Sequence, residues 1–138
     1  MKHLLNKTFM IIFVSFLSSM ANAQNWVKIS ESPEADFYID ESSIRRSGSI
    51  ATYWGMHNRN LAGLVTQPTN AYSTKYKGME NCDTEESKPT YFVDYEKPMG
   101  EGKVLKTVSW DEKATPNIPG SIGYMVMKYV CNSKRNKK

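Results

Sequence analysis

With 138 residues, 40% of them hydrophobic and 23% charged, the chain can build one modest core and is too apolar for a disordered protein. Its formal charge of +4 overstates its basicity: Lys2 and Lys7 lie before residue 24, so 16 of the 18 Lys and Arg remain beyond it against 14 acids, a net +2. That near-neutral balance argues against a nucleic-acid partner, which requires a basic face to meet phosphates.

Lys2, His3 and Lys7 precede a short apolar run over 9–16, and small residues follow up to Ala21-Asn22-Ala23. A charged start, a short apolar centre and an A-x-A-like end are the parts of a secretory signal peptide, expected over 1–23. The run falls short of the about 20 apolar residues a membrane-spanning helix needs, so no transmembrane segment is expected. The domain is then expected over 24–132, followed by a basic, solvated tail over 133–138.

Trp26-Val27-Lys28-Ile29 reads as an opening strand closed by Ser30-Glu31-Ser32-Pro33, and Asp36-Phe37-Tyr38-Ile39 as a second. Asp40-Glu41-Ser42-Ser43 reads as a polar turn, and Gly48 supplies the positive φ of a tighter one. From Ile50 to His57 the residues alternate: Ile50, Thr52, Trp54 and Met56 form a large apolar face, with Ala51, Tyr53, Gly55 and His57 behind it. The stretch 58–70, with Gly63 and Pro68, reads as a long exposed connection.

Over 72–82, Tyr72, Thr74 and Tyr76 alternate with Ser73, Lys75 and Lys77, a one-sided strand. The acidic stretch 83–89 reads as a hairpin loop, Tyr91 to Tyr95 as a strand and 98–102 as a turn. Another strand follows, with Val104, Lys106, Val108 and Trp110 on one side. Short strands punctuated by Gly, Pro and Ser predict a mostly antiparallel sheet. In the last segment Ser121 can cap a helix whose stripe is Ile122, Val126, Tyr129 and Val130, while Tyr124, Met127 and Cys131 occupy its other side. Helix is the preferred reading, with a strand as its rival.

Cys82 and Cys131 both follow the leader and would meet an oxidising compartment, where two cysteines allow one intramolecular pairing. A redox pair would show C-x-x-C, and a zinc site would need more ligands than His57 can add. A structural disulfide is expected, with no metal and no cofactor.

Catalysis finds little support. His57 is the one histidine beyond the leader, and no G-x-S-x-G elbow accompanies it. The adjacent acids Asp40 with Glu41 and Glu85 with Glu86 lie in polar turns, and Gly100-Glu101-Gly102 lacks the strand-then-helix setting of a phosphate loop. A non-enzyme is expected. Two binding features remain: Lys134, Arg135, Lys137 and Lys138 in the basic tail, and Tyr72, Tyr76, Tyr91 and Tyr95, which suit either a recognition face or cross-strand pairs.

The order Trp26-Val27-Lys28-Ile29, Phe37-Tyr38-Ile39-Asp40 with Ser43-Ile44 and Gly48, Tyr53-Trp54, Tyr72, Lys75, Glu80, Cys82, Trp110, Pro119-Gly120-Ser121 and Val130-Cys131 resembles the surface-adhesin protein E family of small exported Gram-negative proteins. The resemblance implies an α+β fold, an antiparallel sheet with a C-terminal helix tied to it by Cys82–Cys131. It also implies a non-enzymatic protein at the periplasm or cell surface, binding host extracellular-matrix or plasma proteins, with a homodimer among its expected states. The adhesin that names the family looks like a lipoprotein, whereas Gln24 stands here where the lipidated cysteine would be, so no N-terminal lipid anchor is expected.

Overall fold

The computed structural model describes residues 23–66 and 69–134. Residues 1–22 of the expected leader and the cations Arg135, Lys137 and Lys138 lie outside the described residues. Six strands, β1 (Trp26–Glu31), β2 (Ala35–Ser47), β3 (Ile50–Arg59), β4 (Ser73–Asn81), β5 (Glu86–Tyr95) and β6 (Val104–Ser109), follow one another across one antiparallel sheet. A seventh, β7 (Thr115–Pro116), pairs with the start of β5 at Glu86 and Ser87. A short helix α1 (Leu61–Thr66) follows β3, and α2 (Ile122–Asn132) closes the domain.

Helix α2 begins as its sequence suggests, with the Ser121 Oγ accepting a hydrogen bond from the Tyr124 N–H at 3.1 Å. Its stripe lies on the sheet: Val126 and Val130 are buried with Ile39, Ile44, Ala51, Tyr53 and Tyr76, and Ile122 and Tyr129 flank them. Each such buried aliphatic side chain is worth about 2 kcal/mol of removal from water. The other side of the helix is also used. Met127 is buried, and Cys131 is bonded to Cys82 with their Cα atoms 5.7 Å apart.

The face of β3 under α2 is the less bulky of the two. The covered face carries Ala51, Tyr53, Gly55 and His57, while Trp54 lies behind the sheet, its ring edge-on to Tyr91 at 6.1 Å. Small residues are favoured here because the helix and two tyrosines must approach the backbone. Tyr76 stands directly opposite Gly55, and Tyr53 directly opposite Gly78. Each ring folds over the facing glycine, so a Cβ added at Gly55 would sit 2.2 Å from the Tyr76 Cζ, and one at Gly78 would sit 2.4 Å from the Tyr53 Cζ. Gly55→Ala must therefore push Tyr76 out of the core and is expected to cost about 2 kcal/mol. Urea unfolding checks this; a midpoint equal to that of the parent would show that the ring is free to move.

Met56, on the back, is fully buried, and the 3₁₀ turn Pro98–Gly100 packs against its strand. That turn is pinned by the Met99 N–H donating to Asn58 Oδ1 at 2.8 Å and the Gly100 N–H donating to Ser73 Oγ at 2.9 Å.

Three connections differ from the sequence reading. Asp40 to Ser43 make no turn; they form a bulge inside β2, where four residues between the pairs Asp40–Trp54 and Arg45–Thr52 face Tyr53 alone. The buried Asp40 carboxylate accepts hydrogen bonds from the Asn25 and Ser42 N–H groups, and Ser43 Oγ accepts from the Trp54 N–H. These polar residues satisfy the backbone locally, as in a turn, while the bulge carries Ile44 into the core. The stretch 58–70 contains the end of β3 and α1, and the acidic loop after Cys82 ends at Glu85 because β5 already begins at Glu86. Pro89 is tolerated in β5 because it lies at a register shift between the pairs Lys77–Tyr91 and Gly78–Pro89.

Candidate functional site

Helix α2 covers one part of the sheet and leaves the part toward β5 and β6 open on the same side. Two rows of facing residues cross this open region. One is Ile39, Gly55, Tyr76, Phe92 and Val108; the next is Phe37, His57, Thr74, Asp94 and Lys106. The first row is apolar and the second largely polar, so the face is amphipathic across its width. Two adjoining cavities follow it. One of about 330 Å³ runs under the start of α2 between Tyr76, Phe92, Ile122 and Val126, and one of about 280 Å³ lies between His57, Arg59, Phe92, Asp94, Lys106 and Trp110.

Aromatic rings pave the groove without a break. Phe37 meets His57 at 4.7 Å, His57 meets Tyr76 at 4.9 Å, Tyr76 meets Phe92 at 6.3 Å and Phe92 meets Trp110 at 5.9 Å between ring centroids. The histidine expected at an ordinary strand end thus stands in the middle of the groove. Burial, reinforced by the nearby Arg59 cation, lowers its pKa to about 4, so the ring is neutral at physiological pH. No hydrogen bond to its nitrogens is made among the described residues.

Sequence reasoning named Glu80 within the family resemblance and gave it no role. It is 1% exposed, with one oxygen accepting from the Tyr53 hydroxyl at 2.8 Å and the other from Asn117 Nδ2 at 3.1 Å. Burial raises its pKa to about 7 against the effect of those two donors. Its inward position in β4, two residues after Gly78 and four after Tyr76, was the available signal.

Other candidates are dispersed. Glu85 pairs with Lys128 on the surface at 2.6 Å, and Glu86 accepts from Thr84 Oγ1, so these adjacent acids serve turns. Glu41, next to the bulge residue Asp40, accepts from the Tyr129 hydroxyl at 3.1 Å. The four tyrosines do not share a face: Tyr76 is in the core, whereas Tyr91 packs on Trp54 and Tyr95 lies under Lys75 on the back. Of the basic tail, Lys134 is described and exposed. Among the described residues, no group of three or more His, Cys, Asp or Glu could hold a metal ion, and no helix is long and apolar enough to cross a membrane.

A sequence profile of the surface-adhesin protein E family matches residues 26–132. The chain belongs to that family. No curated protein sequence matches it, but solved structures do. Crystal form II of Haemophilus influenzae protein E superposes with a TM-score of 0.60 at 17% identity, covering 77% of this chain and 86% of that one. Protein E from non-typeable Haemophilus influenzae gives 0.54 at 18% identity, covering 78% and 84%. At that identity these likenesses establish the adhesin E fold, and the sheet, the C-terminal helix and the disulfide described above are its embodiment here.

Proposed function

We propose that this adhesin E protein is exported by a leader over 1–23 and works without catalysis, binding a host extracellular-matrix or plasma protein. The match to the surface-adhesin family across 26–132 carries this reading. The outer edge of β6 is a suitable docking strand. The Trp110 N–H donates to the Thr90 carbonyl at 2.9 Å, so by the alternation of an antiparallel ladder Val108 and Lys106 also bond to β5. Leu105, Thr107 and Ser109 therefore turn their N–H and C=O groups away from the sheet. Val104 is 46% exposed, Leu105 40% and Trp110 41%, so apolar surface is available beside that edge. An extended segment of a host protein can add there as a further strand, gaining main-chain hydrogen bonds. The cationic tail Lys134, Arg135, Lys137 and Lys138 would then strengthen contact with acidic partners.

Protease shaving of intact producing cells, with purified protein tested on a panel of immobilised matrix and plasma proteins, checks the proposal. Loss of the chain while a periplasmic marker survives, together with saturable binding to a panel member, is the expected result. Thr107→Pro removes an outward N–H without breaking the pairing to β5, so it should abolish that binding and leave the melting temperature nearly unchanged. Full protection from protease and no binding would instead make the chain an envelope-associated protein with no host ligand.

A further inference from the structure

Docking at β6 would use the strand's outward main-chain groups, whereas the amphipathic groove lies on the helix side of the sheet, and the groove's charges point to a ligand. At its open end Arg59 donates from one guanidinium nitrogen to the Ala71 carbonyl and to Thr74 Oγ1, both at 3.1 Å, leaving its other donors for a guest. Lys106 is exposed on the groove side of β6, and its ammonium makes no ion pair or hydrogen bond among the described residues. Two carboxylates lie nearby. Asp94 accepts from Thr74 Oγ1 at 2.6 Å, and both Glu80 oxygens are held by Tyr53 and Asn117. Arg59 and Lys106 thus outnumber the Asp94 carboxylate at this end of the groove, and they sit beside an imidazole that can donate one hydrogen bond and accept another.

The apolar part of the groove is narrow. It is one row wide, bounded by the row of His57, Thr74, Asp94 and Lys106 on one side and by Ile122 and Val126 of α2 on the other. Its rings stand tilted or edge-on to one another, Tyr76 to Phe92 at 35° and Phe92 to Trp110 at 77°, so they offer no flat stacking platform. A slender flexible chain can follow such a row, whereas a broad ring system would have to cover the polar one.

We propose that this groove binds a linear aliphatic carboxylate of the fatty-acid class. The chain lies along Phe92 and Tyr76 toward Ile122 and Val126, and the carboxylate meets Arg59 and Lys106 with His57 beside it. Apolar lining with a few convergent polar groups is the usual make-up of a small-molecule site, and the two cavities are of a size to hold such a chain. Nothing in the assignment requires a host protein to dock on β6, so Thr107→Pro should bind the fatty acid as the parent does.

Isothermal titration of the purified exported protein with dodecanoate, below its micelle concentration, tests the site. One dodecanoate per chain is expected, accompanied by a change in Trp110 emission that Trp110→Phe removes. Lys106→Glu should weaken binding about tenfold, the effect of roughly one charge contact. Lys103→Glu makes the same charge change outside the groove and should leave affinity unaltered. Dodecyltrimethylammonium, with the same chain and the opposite head, should not compete. Absent binding, equal weakening by the two glutamate variants, or competition by the ammonium would each overturn the assignment. Both lysines are exposed, so melting curves matching the parent will show that either variant is folded.

Discussion

Cys131→Ser is expected to lower the free energy of unfolding by about 4 kcal/mol, the largest single loss anticipated for this domain. The bond joins residues 49 apart, so in the unfolded chain it closes a long loop whose entropy returns once the link is cut. In the folded state it fastens the last turn of α2 to the end of β4. Two weaker ties sit beside it: the Cys82 N–H donates to the Ser49 carbonyl at 2.8 Å, and the Arg46 guanidinium donates to the Cys131 carbonyl at 2.7 Å. The arginine there also places a cation at the carboxyl end of α2, where the helix dipole favours one. Urea unfolding of oxidised parent, reduced parent and Cys131→Ser makes the test. The last two should share a midpoint well below the first, since each lacks the same loop constraint. Coincident midpoints for all three would mean that burial of Val126, Met127 and Val130 holds the helix unaided.

The second large effect is hidden in the parent protein by cancellation. Glu80 has its pKa raised from the ordinary 4.5 to about 7 by burial. Its contribution to stability is complete below 4.5 and is lost as pH rises through 7. His57 is displaced the other way, from 6.5 to about 4, through burial and then the Arg59 charge. Its contribution is complete above 6.5 and is lost as pH falls through 4. Each effect amounts to about 3 kcal/mol, and between pH 4.5 and 6.5 the two slopes oppose each other. The parent should therefore show a nearly flat stability profile across that window. Glu80→Gln removes one titration and leaves the histidine, so this variant should lose stability steadily on acidification. His57→Phe leaves the glutamate and should gain stability over the same range. Urea midpoints at closely spaced pH values read the slopes directly. Parallel slopes in the two variants would exclude these groups as the source. The comparison rests on slopes, so a constant cost of either substitution does not affect it.

Much of this architecture was legible in the chain. Alternation in Tyr72 to Tyr76 and Val104 to Trp110 marked strands, because period-two burial is written in neighbouring residues. Ser121 and the stripe Ile122, Val126, Tyr129 and Val130 marked the helix, since a cap and a helical face are equally local. The bulge at Asp40 was misread for an instructive reason: Asp, Glu and Ser satisfy backbone groups in the same way inside a bulged strand as in a turn. For β3 both faces were correctly separated, but the covered one was not chosen, because bulk suggested Trp54 and Met56 while close approach required Ala51 and Gly55.

The site was not legible, and the cause is geometric. His57, Arg59, Phe92, Asp94, Lys106 and Trp110 meet through the register of four successive strands and the turns between them. Each register depends on loop lengths and on bulges such as those at Asp40 and Pro89, and a shift of one residue would send every side chain of a strand to the opposite face. Glu80 likewise gained its hydrogen bond from Asn117 only when the segment beyond β7 came to lie near β4. Local sequence thus determined the strands and the helix, because propensity, periodicity and capping act within a few residues, and the presence of two cysteines allowed one intramolecular pairing. The tertiary structure alone decided which face α2 would shelter and which side chains would share the groove, because those outcomes depend on packing between segments far apart in the chain.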